Sequence, residues 1–281
     1  MKKARKMTLG LPNGSLFEPT IQLLKRAGIT VSVNGRSFFA TIQGTAIFNQ
    51  ALIMRPQDIP EALADGAIDA GICGWDCVIE VGLEKVVYKI VELAYGRSAR
   101  GSVRIVIFGK TKELLDEEGV LVTAEYLNIA RKFFIKATVR FSHGTTEAKV
   151  VNGKYRYGVG VVESGKSLID NGLEILKVLL VSPTVMISRE KLLAIDYFGR
   201  FLKAGLDAEN YRLVKLNADR TAKERILRIL PSSQSPTVSQ LVNGGYALEA
   251  VIKKEEATDL IFRLQKLGAK AILVQDISVF L

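Results

Sequence analysis

Eight consecutive residues carry the most suggestive chemistry in this chain. Gly160-Val161-Val162-Glu163-Ser164-Gly165-Lys166-Ser167 fits G-x-x-x-x-G-K-[ST], a pattern in which backbone N–H groups, a lysine and a hydroxyl surround a polyphosphate. Ile272-Leu273-Val274-Gln275-Asp276 could pass as the apolar strand and Mg²⁺-binding aspartate of a P-loop NTPase. Local patterning argues against that enzyme. Val161 and Val162 read as strand, yet they would fall inside the loop, and Asp170-Asn171-Gly172 stops the following helix early. Asp276 belongs to a stretch that reads as a separate module.

A second arrangement keeps the phosphate without the P-loop. Strand 158–162 would end in a turn at Glu163 to Ser167, and a short helix from Leu168 would follow. Backbone N–H groups, the hydroxyls of Ser164 and Ser167, and the Lys166 ammonium could then hold a monophosphate, with Glu163 facing a sugar hydroxyl. The same residues are also compatible with an ordinary serine-capped helix start.

Other reactive side chains give weaker signals. His143 is the only histidine, and with no paired Ser or Cys it suggests neither a metal centre nor a catalytic triad. Cys73 and Cys77 bracket Gly74-Trp75-Asp76, a spacing that is neither a redox C-x-x-C nor half a zinc site. They read as reduced thiols in a cytoplasmic protein. No side chain is singled out as catalytic, and no set of ligands for a resident metal is legible.

The elements that must position these residues alternate in type. Met7–Leu11 reads as a strand, then Pro12-Asn13-Gly14-Ser15 as a turn, then a helix rhythm at Leu16, Ile21, Leu23 and Leu24 ending at Gly28. Strands follow at Thr30–Val33, Ala51–Met54 and Asp69–Cys73, with a helix after Asp58. An Arg-rich stretch from Tyr95 to Arg104 marks a crossing into a second lobe. That lobe should hold strands Val103–Phe108 and Thr138–Phe141 and a helix near Ala124–Phe134. A strand Leu176–Val181 and a separate extended piece Thr184–Ser188 lead back to the first lobe, where helix Lys191–Leu202 would pack. From Tyr211 the order strand, helix, strand, helix, strand predicts a ferredoxin-like α+β module.

Composition fits this plan. A chain of 281 residues that is 48% hydrophobic can bury two or three cores, and its net charge of +10 favours anionic partners. Basic residues are scattered with little aromatic interleaving, which argues against nucleic acid. No apolar run reaches the roughly 18 residues of a membrane span, and Pro12-Asn13-Gly14 interrupts any secretory signal.

Several segments in order, taken together, resemble one family. They are Leu11-Pro12-Asn13-Gly14-Ser15-Leu16, Met54-Arg55-Pro56-Gln57-Asp58-Ile59-Pro60, Asp65 through Asp76, Phe141 through Lys149, Glu163 through Leu173, and Ser235-Pro236-Thr237-Val238-Ser239. The combination, running from about Met7 to the C-terminus, is similar to the long form of ATP phosphoribosyltransferase, the first enzyme of histidine biosynthesis. The resemblance implies an α/β fold with two periplasmic-binding-protein-like catalytic lobes, residues 1–95 with 183–209 and residues 96–182, and a regulatory domain at 210–281. It implies ATP, phosphoribosyl pyrophosphate and Mg²⁺ in the cleft, histidine as inhibitor, and homo-oligomers built from dimers into hexamers.

Carried over residue by residue, Glu163, Ser164, Gly165, Lys166, Ser167 and Leu168 would form the ribose 5-phosphate loop. Asn13 and Gly14 would line the cleft, Arg55 would offer positive charge, and Asp76 would lie near nucleotide or ribose. Ser235, Thr237, Ile252 and Ala271 resemble the histidine pocket. The chain departs from the pattern at Gly160, where an acidic residue is usual, at Lys166, where a small hydroxyl residue is usual, and at Asn13, where lysine is common. These departures leave a non-catalytic histidine- or nucleotide-sensing protein of the same architecture as the competing reading.

Overall fold

A computed structural model describes residues 7–33, 35, 37–95, 101–163, 165–231, 235–242 and 244–281. Ser164 and residues 96–100 of the Arg-rich stretch lie outside these residues. The chain forms two compact units, Met1–Arg200 and Phe201–Leu281. One continuous helix, Leu193–Asp207, runs through the division.

In the first unit, strand β1 (Met7–Pro12) leads into α1 (Phe17–Arg26). Leu9 and Leu11 are fully buried, as are Leu23 and Leu24 on the inner face of α1. Gly28, at φ +74°, closes that helix. Its N–H bonds Lys25 O at 3.0 Å while Ile29 N–H bonds Leu24 O at 2.9 Å, a reversal that a Cβ would strain. Next come β2 (Thr30–Val33), β3 (Phe39–Gln43), β4 (Phe48–Met54), α2 (Ile59–Ala64), β5 (Ala70–Gly74), α3 (Trp75–Glu80) and β6 (Tyr88–Leu93). The chain continues through β7 (Ser102–Gly109), β8 (Leu121–Ala124), α4 (Leu127–Phe133), β9 (Thr138–Phe141), α5 (Thr146–Val151), β10 (Tyr157–Val162), α6 (Lys166–Asp170), β11 (Glu174–Ser188) and α7, the spanning helix.

The strands join in the order β2-β3-β4-β1-β5-β11-β7-β10-β8-β9, with β6 also on β11. β1 runs parallel to β4 and β5, and β8 runs parallel to β9 and β10, as βα units require. Two lobes therefore share β11, which the sequence suggested would be two pieces. Residues 174–183 of β11 pair antiparallel with β7, ending at Pro183 opposite Ser102. From Thr184 onward the same strand pairs with β5 and β6. Proline has no N–H to give a ladder, and it sits where the strand changes partners and needs none. β3, β6 and β8 gave no signal in the sequence reading and are additions.

The second unit holds β12 (Tyr211–Ala218), α8 (Lys223–Leu227), β13 (Thr237–Gln240), β14 (Tyr246–Lys253), α9 (Ala257–Lys266) and β15 (Lys270–Asp276). Its antiparallel sheet has the order β13-β14-β12-β15, and its core includes Val214, Leu216, Ile226, Leu248, Ile252, Leu260 and Leu264. This is the βαββαβ arrangement of a ferredoxin-like module. No helix among the described residues is long and apolar enough to cross a membrane.

Candidate active site

The carboxyl ends of the parallel strands, where α/β sheets place their ligands, converge on a cavity of about 320 Å³ in the first unit. Ser15 and Leu16 follow β1, Pro56 and Gln57 follow β4, and Asp76 and Cys77 follow β5. Glu125 and Tyr126 follow β8, Glu163 follows β10, and Ser182, Pro183 and Thr184 belong to β11; all of these line the cavity.

Asp76 and Glu163, both expected, are lining residues. Asn13 and Gly14 are exposed just ahead of the lining residues Ser15 and Leu16, with Asn13 N–H bonded to Met54 O at 2.8 Å and Gly14 at φ +66°. Arg55 is exposed beside the lining residues Pro56 and Gln57. Gly165 is buried at φ +81°, and Lys166 and Ser167 are exposed in the first turn of α6. The Leu168 side chain is 1% exposed and packs with Val106, Phe108, Val150, Val162 and Leu173, so only its backbone could face a ligand.

Asp76 is held more tightly than its sequence context suggests. It is 4% exposed at the start of α3, its N–H donates to Ser182 Oγ at 2.7 Å, and Ser182 Oγ–H donates to Oδ1 at 2.5 Å. Tyr126 Oη–H donates to Oδ2 at 2.6 Å. Burial, reinforced by the Asp76 charge, pushes the Tyr126 phenol well above its ordinary range, so it acts here as a donor. The same two causes raise the thiols of Cys73 and Cys77, which are free, buried and poor nucleophiles as placed.

Sequence reasoning missed Tyr126, Ser182 and Glu125. Glu125 Oε1 accepts Thr146 Oγ1–H at 2.6 Å, Thr146 and Ser142 share a hydroxyl bond of 2.9 Å, and Lys149 Nζ donates to Ser142 Oγ at 2.7 Å. Glu80 binds the N–H groups of Asn128 and Ile129 at the start of α4, at 2.8 and 3.0 Å. Arg104 Nη2 reaches Glu163 O at 3.3 Å. His143 is exposed with its ring against Phe141.

The P-loop reading is overturned. Gly160, Val161 and Val162 pair with Val106, Ile105 and Arg104 in the sheet, so they cannot wrap a polyphosphate. α6 spans only Lys166–Asp170, and Asp276 lies in the other unit, ion-paired with Arg212 at 3.0 Å.

The histidine-pocket residues do not converge within one chain. Ser235 and Thr237 are exposed at edge strand β13, and Ala271, at φ +48°, is exposed on the opposite edge β15. Ile252 is 2% exposed in the core between sheet and helices.

Among known proteins, the ATP phosphoribosyltransferase family model matches residues 55–203, and the model described as HisG, C-terminal domain, matches residues 208–279. An ATP phosphoribosyltransferase of Desulforudis audaxviator is 34% identical over 95% of this chain and 96% of its own. One from Chlorobium phaeovibrioides is 33% identical over 98% and 97%. A solved ATP phosphoribosyl transferase (HisG:HisZ) complex from Thermotoga maritima shares the fold, with a TM-score of 0.55, 23% identity, and coverage of 65% of this chain and 87% of that one. With strand-end carboxylates around an interlobe cavity and both family models matched in order, the chain belongs to the ATP phosphoribosyltransferase family in its long form.

Proposed function

We propose that the interlobe cavity is where this chain joins ATP to phosphoribosyl pyrophosphate. N1 of the adenine displaces pyrophosphate from C1 of the sugar, giving phosphoribosyl-ATP in the first step of histidine biosynthesis. The observation that carries the reading is the convergence of Asp76, Glu125 and Glu163, from three strand ends in two lobes, on one cavity. Pyrophosphate leaves as a stable anion, so the protein's task is to position two substrates and stabilise charge, with no strong general base required. The cavity suits that task. Its ionisable lining among the described residues is carboxylates, phenols and the Cys77 thiol, with no histidine among them.

The turn from Glu163 into α6 would take the 5-phosphate, using the backbone of its opening turn with Lys166 and Ser167. Asn13, Gly14 and Arg55 would face the anionic end of the substrates from the first lobe. The divalent ion is assigned as Mg²⁺, travelling with the pyrophosphate. Among the described residues no group of three His, Cys, Asp or Glu could hold a metal, which suits an ion that prefers waters and phosphate oxygens. Glu163, a carboxylate of the cavity wall, would join them, and the ion would neutralise charge on the departing group. A cytoplasmic setting agrees with two buried free thiols.

Pyrophosphate release from ATP and phosphoribosyl pyrophosphate tests the activity directly. Lys166→Thr should raise KM for phosphoribosyl pyrophosphate about ten- to a hundredfold with little change for ATP, since a hydrogen bond to a charged group is worth roughly 1.5–3 kcal/mol. Equal KM values for both substrates in variant and parent would remove Lys166 from the phosphate site. Binding without turnover in the parent would favour the sensing protein instead.

Regulation by histidine would fall to the second unit. Thr237 and Ala271 lie on opposite sheet edges, so a pocket using both needs edges from two copies, in keeping with an oligomeric enzyme of dimers and hexamers. Histidine at ~100 times its dissociation constant should add about 2.7 kcal/mol of stability, and Thr237→Ala should reduce the melting shift while phosphoribosyl pyrophosphate binding persists. The absence of any shift in the parent protein would end this part of the proposal.

A further inference from the structure

Four carboxylates line the cavity: Asp76, Glu80, Glu125 and Glu163. Two are committed to the fold. Asp76 is bonded on both oxygens, to Ser182 and Tyr126, and Glu80 is bonded on both oxygens to backbone N–H groups of α4. Glu125 is placed differently. Its N–H is tied to Val159 O at 3.0 Å, which fixes its backbone against β10, and Thr146 orients its Oε1. Its Oε2 has no hydrogen bond among the described residues. A carboxylate with one oxygen anchored and the other open is a preorganised acceptor for hydroxyl donors.

The neighbouring strand leaves room beside it. A Cβ built on Gly160 would stand 3.7 Å from Glu125 Oε1 and 3.7 Å from Phe108 Cε1, so alanine fits while a longer side chain would reach the carboxylate. On this strand the cavity wall is formed by Val161 and Glu163, while Gly160 is buried on the other face beside Phe108 and the anchored oxygen of Glu125.

We propose that Glu125 is a specificity-determining residue that accepts hydrogen bonds from the ribose hydroxyls of phosphoribosyl pyrophosphate. The assignment rests on the cavity being the phosphoribosyl site. It places the sugar-reading carboxylate at the end of β8 in this chain, anchored through Thr146 and Ser142 to Lys149.

The test uses the full chain and compares ribose 5-phosphate with 2-deoxyribose 5-phosphate as inhibitors competing with phosphoribosyl pyrophosphate. The parent should prefer the ribose compound about tenfold or more, and Glu125→Ala should erase the preference while raising KM for phosphoribosyl pyrophosphate about ten- to a hundredfold and leaving KM for ATP within about twofold. Glu125→Gln keeps an acceptor for Thr146 and the side-chain shape, so it isolates the charge should the alanine variant fold poorly; it should lose most of the preference as well. A preference unchanged in Glu125→Gln, with the parent active, overturns the role of Glu125 and leaves the cavity assignment standing. A parent in which ribose 5-phosphate does not compete with phosphoribosyl pyrophosphate overturns both.

Discussion

Asp76→Ala is expected to cost about 3 kcal/mol of stability and to lower the melting temperature by roughly 6–12 °C, the scale for a unit of about 200 residues. The carboxylate receives two hydroxyl donors, from Ser182 and Tyr126, and is only 4% exposed at the cavity wall. Alanine leaves both hydroxyls facing a void, and burial of donors without acceptors outweighs the relief of no longer burying a charge. Asp76→Asn keeps the shape and one acceptor and should cost closer to 1 kcal/mol. Because Tyr126 lies in the second lobe and Asp76 in the first, the alanine variant should also lose turnover beyond its stability loss. Thermal unfolding and steady-state kinetics on the two variants check both parts. A melting temperature for Asp76→Ala within 2 °C of the parent's would mean that the network adds nothing to the fold, where about 3 kcal/mol is expected.

Gly158→Ala should be the more damaging of two alanine substitutions on one strand face. The added methyl at residue 158 would overlap the ring of Phe108, which is 1% exposed and packed on Val106, Val150, Val162 and Leu168. A ring so enclosed can turn away only by shifting the core beneath the turn into α6, and overpacking of this kind costs about 3 kcal/mol. Gly160→Ala, two residues on, meets nothing nearer than 3.7 Å and should stay within about 0.5 kcal/mol of the parent. Denaturant midpoints for the pair decide the point; equal midpoints would show that Phe108 has room to move.

Asp76 and Glu163 were legible because each closes a strand and sits in a segment whose order along the chain is distinctive. Tyr126 and Ser182 were not, since their contacts to Asp76 span 50 and 106 residues and no local pattern encodes them. Glu125 carries no motif; its orientation comes from Thr146, 21 residues on, which no local pattern announces. The alternation of strands and helices was readable from apolar spacing, whereas β3 and β6 are short and partly exposed and carry no clean period. Pro183 misled in the other direction, because a proline ordinarily breaks a strand and here marks a change of pairing partner. Ser235, Thr237, Ile252 and Ala271 were named through the family resemblance alone; that the sheet order sends Thr237 and Ala271 to opposite edges is a topological fact that spacing does not contain.

The shared strand β11 also sets a schedule for synthesis. It lies between β5 and β7 in the sheet, yet it follows both in the chain, ending at Ser188 while β5 ends at Gly74 and β7 at Gly109. Until the ribosome has delivered it, each half-built lobe presents an unpaired edge with buried-type residues such as Ile72, Ile105 and Ile107 behind it. At ~5–20 residues per second that interval is on the order of ten seconds, long enough for chaperones to matter and for neighbouring nascent chains to pair wrongly. The strand that completes the cleft is thus also the one whose late arrival decides whether the chain reaches it.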